Sequence, residues 1–239
     1  MLGIDINAKC FAVSIVTPWG KILKQTYLGK DIWVKRKKIF ERREKLRSLA
    51  DKGSHRANRS LKKLRKTERD FVRNRLGEIV KEITDMALRY DAEISIENLK
   101  RFKSLGKRAN KKIMRIPFYK FKQLLESRCF DKKITLNTAD SWHTSKWCTH
   151  CGAVGDRRSS NYSLFKCPEC GQIVNNDRKA SLAIAVKPLL ERKALQGTTL
   201  EFFQFSSRRV PVNGLLRSDD RVVSQVVHDS STPMESPLR

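Results

Sequence analysis

The fold is decided by the opening stretch Leu2-Gly-Ile-Asp-Ile-Asn-Ala-Lys-Cys10-Phe-Ala-Val-Ser-Ile-Val16-Thr-Pro-Trp-Gly20-Lys-Ile-Leu-Lys-Gln-Thr-Tyr-Leu28. Its three runs, 2–6, 10–16 and 20–28, are apolar or alternating and rich in β-branched residues. Asn7-Ala-Lys9 and Pro18-Trp-Gly20 interrupt them. Such runs separated by turn residues predict three successive antiparallel strands. Asp5 stands inside the otherwise apolar first run, where a carboxylate is costly to bury unless it is paired or metal-bound.

Downstream, residues 33–90 change character. Lys35–Arg75 holds 18 Lys/Arg against 5 Asp/Glu, half of the net charge of +26. The apolar residues Leu61, Leu64, Phe71, Val72, Leu76, Ile79, Val80, Ile83, Met86 and Ala87 recur at helical spacing. Two long helices broken near Lys52-Gly53-Ser54 are expected. Acidic partners at i, i+4 are too few to balance the cations, so the pair reads as phosphate-facing. Lys35, Arg36, Arg59, Lys62, Lys63, Arg65, Lys66, Arg69 and Arg73 are the candidate nucleic-acid contacts.

Residues 92–97 alternate as a fourth strand that ends in Glu97, and Lys100–Met114 reads as a basic loop. Pro117 is a plausible N1 of a helix striped by Phe118, Phe121, Leu125 and Cys129. A fifth strand at 133–138, a cysteine-rich segment and a helix from about Arg178 to Leu195 follow. The boundaries expected are one domain over 1–195, with a basic helical insertion at 33–90 and a zinc-ribbon insert at 144–175. The tail, 196–239, is expected to be largely disordered.

Composition sets limits on this reading. Hydrophobic residues make up 39% of the 239 positions, enough for a core. No apolar run approaches the roughly 18 residues that span a bilayer, and the N-terminus lacks the pattern of a signal peptide. A soluble, cytoplasmic, nucleoid-associated protein with no membrane partner is expected. A sequence pI near 10.2 favours a polyanionic partner.

Cys148-Thr-His-Cys151 and Cys167-Pro-Glu-Cys170 form two C-x2-C turns, each followed by glycine. Two such turns present four thiolates to one tetrahedral Zn²⁺, and four protein ligands leave no open position for catalysis. His150 is a conceivable substitute ligand, with an outward-facing ring the better expectation. Cys10 and Cys129 sit in apolar patterns and read as buried thiols.

Three acids stand at strand ends or a helix start: Asp5, Glu97 and Asp177. Each has an ordinary reading, respectively a turn former before Asn7, a partner of Lys100 and an N-cap. Together they suit two Mg²⁺ or Mn²⁺ ions, which prefer carboxylate oxygens and, about 4 Å apart, promote phosphodiester cleavage. The order β-β-β-α-β-α-β-insert-α is that of the ribonuclease-H-like fold, an α/β architecture with a mixed sheet. Its first and fourth strands lie side by side.

Gly3-Ile-Asp-Ile6, Ile94-Ser-Ile-Glu-Asn-Leu-Lys100, Thr144-Ser-Lys-Trp-Cys-Thr-His-Cys-Gly152, Phe165-Lys-Cys-Pro-Glu-Cys-Gly171 and Asn176-Asp-Arg-Lys-Ala180 occur in this order. Over about residues 1–186 the chain thus resembles TnpB-type (OrfB-family) transposon proteins, relatives of the compact type V CRISPR nucleases. The resemblance implies a RuvC-like, metal-dependent DNA endonuclease with a structural zinc ribbon, a guide RNA and DNA as partners. By that resemblance Asp5, Glu97 and Asp177 are its catalytic acids and Cys148, Cys151, Cys167 and Cys170 its ribbon ligands. The family's usual N-terminal region does not precede the first motif, so a separately encoded N-terminal portion is a further expected partner. Asn7 stands where the family usually has glycine, Lys179 where it has asparagine, and Ala183 replaces another usual residue. The alternative function is a truncated or catalytically impaired nucleic-acid-binding protein, such as a transposon-derived regulator.

Overall fold

In a computed structural model describing residues 1–7, 9–98, 117–155, 163–196, 202–205, 208–211 and 215, the opening stretch forms the meander that its alternation predicts. The strands are β1 (Leu2–Ile6), β2 (Phe11–Val16) and β3 (Ile22–Leu28). With β4 (Ile94–Glu97) and β5 (Leu136–Ala139) they make a five-stranded sheet of order β3-β2-β1-β4-β5. The β1–β2 and β2–β3 pairs are antiparallel, and β1–β4 and β4–β5 are parallel. The turn before β2 is made by Asn7, whose Oδ1 accepts from the Lys9 and Cys10 amides at 2.8 and 3.0 Å.

Helices α1 (Lys30–Asp51) and α2 (His55–Arg89) follow β3 and break at Lys52–Ser54. The Ser54 side chain caps α2 by accepting from the Ala57 amide. Only the C-terminal half of α2 enters the sheet's core. Leu76, Ile79, Ile83 and Met86 join Leu2, Ile4, Phe11, Val13, Ile94 and Ile96 there. Helix α3 (Phe118–Asp131) adds Phe121, Leu125 and Cys129 to the same layer. Pro117 is the N-cap of α3, one position earlier than its φ preference suggests. Burial pushes the Cys129 thiol up to about 11, which fits an inert core residue.

The opposite face of the sheet is covered by α4 (Asn176–Leu195). Leu182, Ala183, Ala185, Val186 and Leu190 pack there with Val16, Trp147 and Leu215. Gly3 permits the approach: a Cβ at that position would lie 2.3 Å from the Ser181 carbonyl oxygen and 2.4 Å from the Ala185 nitrogen. Beside it, the Ser14 and Ser181 hydroxyls are 2.6 Å apart.

Between β5 and α4 lies a small subdomain with the two-stranded sheet β6 (Leu164–Lys166) and β7 (Ile173–Asn175). Within the stretch expected to be a tail, β8 (Phe202–Phe205) pairs with β9 (Arg208–Pro211), and Leu215 is buried against the α4 cluster. The basic loop expected at 100–114 lies outside the described residues. Among the described residues, no helix is long and apolar enough to cross a membrane.

Candidate functional site

The two C-x2-C turns fold as their glycines require. Gly152 and Gly171 take φ of 77° and 68°, and their amides donate to the Cys148 and Cys167 carbonyls at 2.9 and 3.1 Å. Each turn thereby curls its two sulfurs toward a common point. Among the described residues, the metal-capable group found is Cys148, Cys151, Cys167 and Cys170, whose sulfurs all lie within 4.8 Å of one another. The Cys148–Cys170 and Cys151–Cys167 sulfurs are 3.8 and 3.5 Å apart. A tetrahedron with Zn–S near 2.3 Å has edges of about 3.8 Å, whereas a disulfide needs about 2.05 Å. The donor set therefore fits zinc. Burial acts to raise the Cys167 thiol, but the Cys170 and Glu169 amides and the neighbouring thiols outweigh it and hold it at about 7. His150 contributes its main-chain N–H to the Cys148 sulfur at 3.4 Å, and its ring is not part of the four-sulfur group.

Strand register positions two of the three acids, and the helix α4 carries the third. The β1–β4 ladder runs Leu2–Ile94, Gly3–Ser95, Ile4–Ile96, so Asp5 and Glu97 are the next pair along the same two strands. Across β2 and β3, Asp5 is level with Ala12 and Tyr27. Asp5 shares its face of β1 with Gly3, the face on which α4 lies. Helix α4 runs antiparallel to β1. Ser181 and Ala185 meet Gly3, Val186 and Leu190 reach Val16, and Asn175, just before the helix, accepts from the Tyr27 hydroxyl at 2.7 Å. The first turn of α4, with Asp177, therefore lies at the level of Asp5. Asp5 and Asp177 both act on the charge state of Cys10, whose buried thiol they help to push up. All three acids are half-buried.

The helix cap is Asn175, not Asp177: its Oδ1 accepts from the Asp177 and Arg178 amides, both at 3.1 Å. Glu97 accepts from the Thr144 hydroxyl at 2.8 Å. Lys100, the partner expected from the sequence, lies outside the described residues. Thr144 is 2% exposed and opens the segment leading into the cysteine turns.

Two lysines fasten that segment to α4. Lys179 donates to the Trp147 carbonyl at 3.1 Å and lies 4.2 Å from the Phe165 ring centroid. Lys187 donates to the Asp140 and Trp142 carbonyls, both at 2.9 Å. They are 2% and 1% exposed, so both are core groups despite their charge. Sequence reasoning assigned Thr144, Asn175 and Lys187 no role. Lys187 had a signal, since it ends the apolar run Leu182–Val186.

The nine candidate nucleic-acid contacts lie along α1 and α2. Eight are exposed, and Arg36 is half-buried against Glu68 at 3.0 Å. Arg43 also binds Glu68. A cavity of about 620 Å³ opens there, where Arg36, Arg43, Arg65, Arg69, Arg73 and Lys120 surround the single acid Glu68.

The chain is similar to several known proteins. Residues 118–184 match the family model described as Cas12f1-like, TNB domain. A TnpB-like protein of Methanocaldococcus jannaschii is 26% identical over 195 residues, 78% of this chain and 68% of the relative. One from Aquifex aeolicus is 28% identical over 185 residues, 73% of this chain and 56% of the relative. The fold is similar to that of Cas12f1 in its complex with sgRNA and target DNA. The TM-score is 0.59 at 20% identity, covering 77% of this chain and 49% of that one. The chain thus spans about half the length of the Cas12f1 chain and of the Aquifex relative. The chain is thus similar to TnpB-like proteins, and its mixed α/β fold is similar to that of Cas12f1.

Proposed function

We propose that this chain is the metal-dependent nuclease core of a TnpB-type protein. The reading is supported by the β1–β4 ladder, in which Asp5 and Glu97 follow the last pair Ile4–Ile96, and by the antiparallel α4, whose first turn carries Asp177 at the same end of the sheet. In this reading Asp5, Glu97 and Asp177 hold two Mg²⁺ or Mn²⁺ ions. Half-buried carboxylates at one sheet end are the hard oxygen donors these ions prefer. The ions supply water activation and charge stabilisation of the departing oxygen.

The chain's own residues position the groups. The β1–β4 ladder fixes the spacing of Asp5 and Glu97. The Thr144 hydroxyl holds one Glu97 oxygen, and Asn175 anchors the turn bearing Asp177 to Tyr27. Zinc, with all four positions taken by Cys148, Cys151, Cys167 and Cys170, serves as scaffold. Lys35, Arg36, Arg59, Lys62, Lys63, Arg65, Lys66, Arg69 and Arg73 hold phosphates, and the pocket around Glu68 receives one backbone segment. DNA and a guide RNA are the partners, as in the Cas12f1 complex.

The test is cleavage of labelled single-stranded DNA by zinc-loaded protein with added Mg²⁺ or Mn²⁺. Asp5→Ala is expected to abolish cutting with zinc content unchanged. Equal cutting by that variant refutes the assignment. Binding without cutting, unaffected by removing any of the three acids, establishes the chain as a nucleic-acid-binding protein instead.

A further inference from the structure

We propose that Trp33 and Tyr27, with Lys9, Lys30, Lys37 and Arg178, form a docking track for single-stranded nucleic acid leading to the acidic end of the sheet. The chain turns from β3 into α1 through Tyr27-Leu-Gly-Lys30-Asp-Ile-Trp33. Lys30, Trp33 and Lys37 are spaced i, i+3 and i+7 and share one stripe of α1. Trp33 is 38% exposed, with the Lys9 and Lys37 ammonium groups each 5.8 Å from its ring centroid. The Tyr27 ring has Lys30 at 4.8 Å and the Arg178 guanidinium at 5.4 Å. All four cations are exposed, and among the described residues none is ion-paired with a carboxylate.

That composition selects its ligand. Bases of a single strand stack on aromatic side chains while the phosphates take the cations. A duplex keeps its base faces stacked internally and gains from the charges alone. A carboxylate-rich protein surface would use the cations but not the tryptophan. The track also has a direction. Tyr27 is level with Asp5 across the sheet, and its hydroxyl is bonded to Asn175, two residues before Asp177. A strand lying from Trp33 over Tyr27 arrives at the three acids. This last step rests on the nuclease reading; the binding itself does not.

The test measures anisotropy of a short labelled oligothymidylate and of a duplex of equal length, over a salt series, with zinc-loaded protein and no added Mg²⁺. Trp33→Ala is expected to weaken the oligothymidylate about tenfold without altering its salt slope, and to change duplex binding less than about twofold. Trp33→Phe, which keeps a stacking face, is expected to recover most of the loss. Lys9→Gln combined with Lys37→Gln should flatten the single-strand salt slope by roughly 1.4. Unaltered oligothymidylate binding by Trp33→Ala overturns the track. So does equal loss for duplex and single strand, or a Trp33→Phe variant as weak as Trp33→Ala at wild-type melting temperature. Trp33-dependent binding without cutting under any divalent ion sinks the nuclease reading and leaves the track standing. Cutting with Trp33-independent binding does the reverse.

Discussion

Gly3→Ala tests the packing that sets Asp177 against the sheet. The added methyl meets the Ser181 oxygen at 2.3 Å, the Ala185 nitrogen at 2.4 Å and the Ala185 Cα at 2.7 Å. Ordinary contacts begin near 3.4 Å, so α4 and β1 must separate by about 1 Å. All three atoms are main chain, and no side-chain truncation on α4 can relieve them. Overpacking of this kind costs about 1–3 kcal/mol, and straining the Ser14–Ser181 bond adds about 1 kcal/mol. For a chain of this size that corresponds to a drop of roughly 5–15 °C in Tm. If the nuclease reading holds, a 1 Å displacement of Asp177 lowers cleavage by about 100-fold. Gly77→Ala is the control: it lies in the exposed middle of α2, where an added Cβ would have nothing within 4 Å, and it should raise stability by about 1 kcal/mol. Thermal unfolding followed by circular dichroism, with zinc content checked, reads both. A Gly3→Ala protein melting like wild type, or one restored by Ser181→Gly, refutes the reasoning.

Further outcomes follow from the same contacts. Thr144→Val removes the hydroxyl donor from Glu97; it should leave zinc content intact and, on the nuclease reading, raise the Mn²⁺ concentration for half-saturation by about 10-fold, measured by Mn²⁺ spin resonance. Cys167→Ser should abolish zinc binding, read by metal analysis, and open residues 144–175 to proteolysis. Replacing Arg65, Arg69 and Arg73 with glutamine should reduce the salt slope of duplex binding by roughly 2.7, since each phosphate contact contributes about 0.9. Arg192 holds the Glu93 carboxyl below its ordinary range, against a smaller opposing effect of burial. A lowered carboxylate pKa gives stability that is present above the ordinary value of about 4.3 and is lost as pH falls through the lowered one. Glu93→Gln should therefore lower Tm at neutral pH, with the difference from wild type shrinking as pH falls below about 4.

The strands and helices were legible because their signals are local. Period-two alternation marked β1 to β3, helical spacing marked α2 and α3, and Lys52-Gly53-Ser54 marked the break between the long helices. The cysteine site was legible for the same reason, since two turns of four residues contain all its ligands. What escaped depends on contacts between elements distant in the chain. Nothing near Gly3 shows that a helix 178 residues later presses its main chain onto it. Nothing in Asn175-Asn-Asp177 tells which residue caps the helix until Tyr27 fixes Asn175. Lys179, in the run Arg178-Lys-Ala180, looks like a solvated cation, yet its ammonium group is spent on a carbonyl of the cysteine-rich segment.

These long-range contacts converge on α4, and that has a mechanical consequence. One helix carries Asp177 at its start, presses on β1 through Ser181 and Ala185, and holds the ribbon lead-in through Lys179 and Lys187. The lead-in in turn supplies Thr144 to Glu97. The zinc turns and the acidic end are therefore joined by two routes, one through α4 and one through Thr144. Emptying the four-sulfur site should loosen Trp147 and with it both routes, so on the nuclease reading divalent-ion binding at the acids should weaken when zinc is removed although zinc touches none of them. Titrating Mn²⁺ into wild-type and Cys167→Ser protein decides the matter: equal affinity means that the ribbon is only appended to the core, and weaker affinity means that it is a brace for the acids.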